Sequence, residues 1–251
     1  MQRTIRICAV RFVAVLLGLV TVASADEIRV AVASNFADTM REIAGRFEQQ
    51  SGHKVTLVFG STGMHYAQIR NGAPFDAFFA ADVKRPKLLE EEGITLADSR
   101  FTYAVGKVVL WSPDADYVDP AGEVLEQGDF RHLALANPKL APYGRAAREV
   151  LEKRGQWQDL QDRIVRGENV GQAFQFVKSG NAELGFVAWS QIKRPGQPMA
   201  GSWWAIPPAL YSPVEQQAVL LNANPVARDF LTFVRGNEAL RIIGAYGYGT
   251  P

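Results

Sequence analysis

The chain has 251 residues, with 27 Lys and Arg against 26 Asp and Glu, and 47% of its residues are hydrophobic. Three arginines and no acid lie in the first 25 residues, so the remaining 226 carry 24 basic and 26 acidic groups. That balance offers no basic field for nucleic acid or an anionic membrane surface. The single cysteine, Cys8, sits in the same opening stretch. Beyond it there is no disulfide and no thiolate chemistry, and stability rests on a core that 226 residues are enough to build.

Arg3, Arg6 and Arg11 precede an apolar run over 12–23, and Ala23-Ser24-Ala25 follows. A basic stretch, an apolar stretch and a small-residue cleavage site in that order predict a secretory signal peptide over residues 1–25. The apolar run is too short to hold the chain in a membrane. Cys8 lies at the wrong end of the run for lipid attachment, so an exported, freely diffusing protein starting at Asp26 is expected.

From there the chain alternates. IRVAVA (28–33) predicts a buried strand. The segment after it places Phe36, Met40, Ile43, Ala44 and Phe47 on one face at helical spacing, with Gly52 as its stop. VTLVF (55–59) is a second strand, so the first thirty residues form a βαβ unit with parallel strands. A helix near 64–71, a strand over 75–80 and a helix from Asp82 to Gly93 come next. TYAVGKVVLWS (102–112) is one long apolar stretch with Gly106 inside it, and 113–129 is a Pro/Gly/Asp-rich loop. A strand over 132–138, a helix over 144–154, a strand over 163–165, a helix over 171–178 and a strand over 184–189 continue the alternation. AGSWWAIPP and QQAVLL (216–221) are strands, and helices near 224–235 and 237–244 end the chain. Such alternation predicts an α/β protein with mostly parallel sheet. No linker stands out, so two lobes would be joined through ordinary strands, at Gly106 and at the Pro207-Pro208 corner.

Several chemistries fail on spacing. His53, His65 and His132 are far apart without a Cys or carboxylate at ligand spacing, and are read as solvated surface residues. Ser61 has Phe59 where a nucleophile elbow needs Gly. GSTGMHY (60–66) lacks the Lys-Ser/Thr of a phosphate loop, and no G-x-G-x-x-G follows the first strand. No direct metal ligand, no cofactor and no catalytic residue is expected.

What remains is four strand-to-helix junctions: Ser34-Asn35, Ser61-Thr62-Gly63, Pro142-Tyr143-Gly144 and Asn169-Val170-Gly171. Singly, each reads as a helix cap, a tight turn or a helix start. Together they place helix N-termini beyond the carboxyl ends of strands, where ligands bind in open α/β sheets. Unpaired N–H groups and dipole ends there suit a small anion. With no Lys or Arg at the core of any junction and no carboxylate to receive a proton, a fully deprotonated oxyanion fits better than phosphate. Removing Asn35 or Thr62 should weaken that binding and cost little stability beyond the ~1 kcal/mol of a cap.

The stretches AVASNFADTMREIAGRFEQQSG, FGSTGMHYAQIRNGAPFDAFFAAD, ANPKLAPYGRAAREVL and ENVGQAFQFVKSGNAELGFVA together resemble the molybdate-binding proteins of bacterial ABC importers, over nearly the whole mature chain. The resemblance implies a two-lobed periplasmic-binding-protein fold (type II), each lobe a mostly parallel sheet flanked by helices. Lobe 1 would comprise 26–106 plus 209–251 and lobe 2 would comprise 107–208. It implies periplasmic binding of molybdate or tungstate and delivery to membrane permease subunits by a monomer. Ser34, Asn35, Ser61, Thr62 (the favoured hydroxyl of that turn), Tyr143 and the Val170 N–H match the family's ligand positions. Molybdenum or tungsten would enter only as the bound oxyanion. One departure is Ala188, where other members carry a tyrosine after the strand, so Tyr143 would have to supply that hydroxyl from another direction. The alternatives are a receptor for sulfate or another small oxyanion, and an enzyme on the same fold.

Overall fold

A computed structural model describes residues 26–249; the expected signal peptide over 1–25 lies outside the described residues. In chain order the elements are β1 (Glu27–Ala33), a 3₁₀ turn (Ser34–Phe36), α1 (Ala37–Ser51), β2 (Lys54–Gly60), α2 (Thr62–Arg70), β3 (Ala77–Ala80), α3 (Lys84–Glu91) and β4 (Phe101–Gly106). Then come β5 (Val108–Ser112), α4 (Val124–Gln127), β6 (Leu133–Ala136), α5 (Pro142–Lys153), β7 (Ile164–Gly167), α6 (Val170–Lys178), β8 (Leu184–Ala188), α7 (Trp189–Ile192) and β9 (Ser202–Ala205). The chain closes with β10 (Val214–Leu220), α8 (Pro225–Arg235) and α9 (Asn237–Ala245).

The strands form two five-stranded sheets, ordered β2-β1-β3-β10-β4 and β7-β6-β8-β5-β9. β1 is parallel to β2 and β3, and β6 is parallel to β7 and β8. β10 runs antiparallel to β3 and β4, and β5 antiparallel to β8 and β9, so both sheets are mixed. The reversed strand is in each case the first one after the chain changes sheets. β4 runs almost straight on through Lys107 into β5, so the apolar stretch over 102–112 is two strands in two sheets rather than one. The return passes from β9 to β10. Near the C-terminus Gly249 pairs with Val105, which carries Tyr248 back beneath the first sheet's crossing strand.

Periodicity placed the helices well because each has a face to bury. Met40, Ile43, Ala44 and Phe47 of α1 pack with Val30, Phe79 and Phe230 in the first core. Gly52 takes the left-handed conformation (φ 76°) that ends α1, its N–H donating to the Glu48 carbonyl. The second core gathers Leu133, Leu135, Ala147, Val150 and Leu151 around α5. Gly144 of α5 lies against the Ala136 carbonyl at the end of β6, where any Cβ would collide with backbone. That contact holds the start of α5 tight to the strand edge. Two short helices fall in segments read as loop or strand, α4 and α7, each a single turn too brief to show a periodic face.

His65 overturns its surface reading. It is fully buried in α2, edge-on to Phe75 and Phe78. Its Nε2 donates to the Val32 carbonyl at 3.2 Å, and Nδ1 lies 3.1 Å from the Gln68 carboxamide. Polar sequence neighbours misled here, because the α2 face beside Gly60 turns inward and a Cβ on Gly60 would press on the ring. Burial lowers the His65 pKa below 6.5, against the opposing pull of its hydrogen bonds to Gln68 and Val32. A base with a lowered folded pKa leaves the unfolded chain binding more protons below pH 6.5, so stability falls as pH falls through that window. Urea midpoints measured between pH 7.5 and 5 should drop for the wild-type chain, and His65→Gln should drop less.

Candidate functional site

All six residues singled out in the sequence line one small cavity between the two sheets, with a volume of about 10 Å³. Ser34 and Asn35 come from the 3₁₀ turn after β1, and Ser61 and Thr62 from the junction of β2 and α2. Tyr143 sits in the first turn of α5, and Val170 is the first residue of α6. The small side chains of Ala33, Ala81 and Ala141, with Gly60 and Pro142, fill the wall between them. No Lys, Arg, His, Asp or Glu is among the residues that line it. A larger groove lies on the outer side of Ser34 and Asn35, where Asp38, Arg41, Lys178 and Arg194 bring charge. The small neutral cavity, not that groove, is where all four junctions meet.

The hydroxyls are wired in one direction. Ser61 Oγ accepts from Met64 N at 3.2 Å, capping α2. Thr62 Oγ1 accepts from Ala81 N at 2.9 Å, and Ser34 Oγ accepts from Gly171 N of α6 at 3.2 Å. A hydroxyl has one proton to give and two lone pairs. Each of these three has a lone pair occupied by a main-chain N–H, so its own proton is left to donate. Asn169 caps α6 by accepting from Gln172 N at 3.0 Å. The N–H groups of Thr62, Tyr143 and Val170 stand in first helical turns, which have no intrahelical acceptor. The site is therefore a shell of donors at converging positive dipole ends.

Ser34 and Asn35 are not caps of their own helix; neither the 3₁₀ turn nor α1 has a side-chain cap. Ser34 caps α6, across the interface. Asn35 Nδ2 donates to Gln216 Oε1 at 2.8 Å and Tyr248 OH at 3.1 Å, while Asn35 O accepts from Ser190 Oγ at 3.0 Å and Tyr248 OH at 2.8 Å. Both amide protons are used inside the scaffold, so what Asn35 can offer the cavity is main-chain N–H. Ser190, Gln216 and Tyr248 had no signal in the sequence, because they lie 155 to 213 residues from Asn35 along the chain. Tyr143 is 2% exposed, and its hydroxyl makes no hydrogen bond. Burial, then the neighbouring phenols of Tyr248, Tyr103 and Tyr211, push its pKa well above 10 against an opposing pull from the Gln216 side chain, so it stays a proton donor at neutral pH.

The two sheets meet around this cavity through direct bonds. Gly63 N donates to Leu140 O at 2.8 Å, Arg85 Nη2 to Lys139 O at 3.1 Å, and Arg194 pairs with Asp38 at 2.6 Å. The Asp82 carboxylate next to the site is spent on Arg85, accepting from its N–H at 3.0 Å and from its guanidinium.

Residues 28–249 match the family model described as bacterial extracellular solute-binding protein. The chain is 51% identical to the molybdate-binding protein ModA of Azotobacter vinelandii over 92% of this chain and 93% of that one. It is 46% identical to ModA of Rhodobacter capsulatus over 94% of each. The chain belongs to the bacterial extracellular solute-binding proteins, within the ModA group. The solved periplasmic molybdate-binding protein of Azotobacter vinelandii superposes with a TM-score of 0.87 at 44% identity, covering 89% of this chain and 99% of that one. The fold of the family is thus the two-lobed periplasmic-binding-protein fold, here with two mixed sheets flanked by helices.

The new role of Asn35 changes what its loss should do. Asn35→Ala removes two buried side-chain hydrogen bonds, to Gln216 Oε1 and to Tyr248, from a closed network, and each is worth about 0.5–1.5 kcal/mol net. Urea unfolding should show a loss of roughly 2 kcal/mol or more, clearly beyond the ~1 kcal/mol of a lost cap.

Proposed function

We propose that this protein is the periplasmic receptor of a bacterial ABC importer, that it binds molybdate, and tungstate through the same contacts, and that it has no catalytic role. One observation carries the reading: six neutral residues on four helix starts converge on one small cavity lined by no charged side chain. The identity to relatives named as molybdate-binding proteins supports the choice of anion.

The ligand contacts follow from the wiring above. Ser34, Ser61 and Thr62 donate their remaining protons, Tyr143 donates its phenolic proton, and the main-chain N–H groups of Asn35 and Val170 complete the shell. Four oxygens of a tetrahedral dianion accept from all of these and need donate nothing. A hydrogen phosphate carries a proton, and no carboxylate lines the cavity to receive it. Neutral donors also avoid burying a counter-charge, whose desolvation can exceed its attraction. Closing the lobes removes water, so each donor acts in a low dielectric. The bonds from Gly63 to Leu140 and from Gly171 to Ser34 tie closure to the site itself, and the closed form is what a permease would recognise. Sulfate offers the same acceptors, and size separates it from molybdate.

Calorimetric titration of the mature, ligand-stripped protein with molybdate, tungstate, sulfate and phosphate tests this. Molybdate and tungstate should bind far more tightly than the other two, and Thr62→Ala should weaken molybdate about ten-fold or more, the size of one hydrogen bond to a charged group. Sulfate or phosphate binding as tightly as molybdate would defeat the proposal.

A further inference from the structure

The Tyr143 hydroxyl and Gln216 Nε2 are both buried without a hydrogen-bond partner. They sit together over Gly106: a Cβ built there would fall on the Tyr143 hydroxyl and 2.8 Å from Gln216 Nε2. Gln216 is on β10 and Tyr143 on α5, so the two face each other from different lobes at the crossing strand. Two orphaned polar groups at one buried point are uncommon and call for a reason.

The orientation of the Gln216 amide is set by a chain of bonds on its other side. The Tyr248 proton is committed to Asn35 O or to Ser190 Oγ, both 2.8 Å away, so the Tyr248 oxygen accepts from Asn35. Asn35 therefore presents Nδ2 on this side, and the same nitrogen donates to Gln216 Oε1. Tyr103 OH, held well above its ordinary pKa by burial, lies 3.1 Å from the same oxygen. With Oε1 fixed toward Asn35 and Tyr103, Nε2 has to point at Tyr143.

We infer that Gln216 is a positioning residue that makes Tyr143 a ligand donor: its Nε2–H is directed at the phenolic oxygen, so the phenolic proton is turned to the anion. Gly106 is the companion element, since only a residue without Cβ leaves room for the two groups to meet. Tyr143 thereby acquires the polarity that backbone N–H groups impose on Ser34, Ser61 and Thr62. The inference rests on the oxyanion-binding reading above and extends it to residues outside the cavity wall. It also accounts for Ala188, since a hydroxyl held from this side does not need a tyrosine after β8.

The test is a double-mutant cycle read by calorimetric titration with molybdate. Gln216→Glu keeps an oxygen for Asn35 and Tyr103 but replaces the donor facing Tyr143 with an acceptor. It should weaken binding about ten- to a hundred-fold in the wild-type background and less than about two-fold in Tyr143→Phe. A loss of equal size in both backgrounds would overturn the inference, because Gln216 would then act through Asn35. So would wild-type affinity in Gln216→Glu. If burying the carboxylate prevents folding, Gly106→Ala probes the same contact and should likewise lose affinity in the Tyr143 background but little in Tyr143→Phe; equal losses overturn the inference here too. Failure of the wild-type protein to bind molybdate would count against the proposed ligand instead, and the cycle would be run with sulfate as probe.

Discussion

The site depends on what its hydroxyls have already accepted. Ser34, Ser61 and Thr62 each take a main-chain N–H, from Gly171, Met64 and Ala81. That single constraint turns three ambivalent groups into donors in this arrangement of the two sheets. It costs no buried charge, and no side chain has to reorganise on binding, because the orienting partners are backbone atoms of helices and strands. The electrostatic preference for an anion then follows from helix N-termini that the fold points at one place.

The same constraint links binding to the contact between lobes. Ser34 belongs to the first sheet's edge and Gly171 to α6 beside the second sheet, so the bond that orients the Ser34 proton exists only when the lobes are together. Gly63 to Leu140 and Ser190 to Asn35 are similarly shared. The cavity is therefore not a property of either lobe. Its donor pattern is shared between the two sheets, and the chain crosses between them at Lys107 and between β9 and β10.

Much of this was legible in the amino-acid sequence, for a physical reason. Helix starts need caps and turns, and those residue types mark the junctions locally, so Ser34, Asn35, Ser61, Thr62, Tyr143 and Val170 could be picked out one junction at a time. What could not be read is which groups lie opposite each other. Asn35 has the composition of a cap, yet it is a buried crossing point between Gln216, Tyr248 and Ser190. His65 has polar neighbours in sequence, yet its ring is enclosed by Phe75 and Phe78. Gly106 marks the crossing inside the apolar stretch over 102–112, and the chain does change sheets there, but which neighbours each half pairs with could not be read. Long-range pairing decides each of these cases, and local periodicity carries no record of it.

The central claim is that a shell of donors, with protons placed by the fold, holds a fully deprotonated oxyanion. Proton counting tests it most directly: molybdate is titrated into the ligand-stripped protein near pH 7.5 in two buffers of very different ionisation enthalpy. The same binding enthalpy is expected in both, because neither the anion nor any lining residue gains or loses a proton. A difference that corresponds to uptake or release of about one proton per site would contradict it.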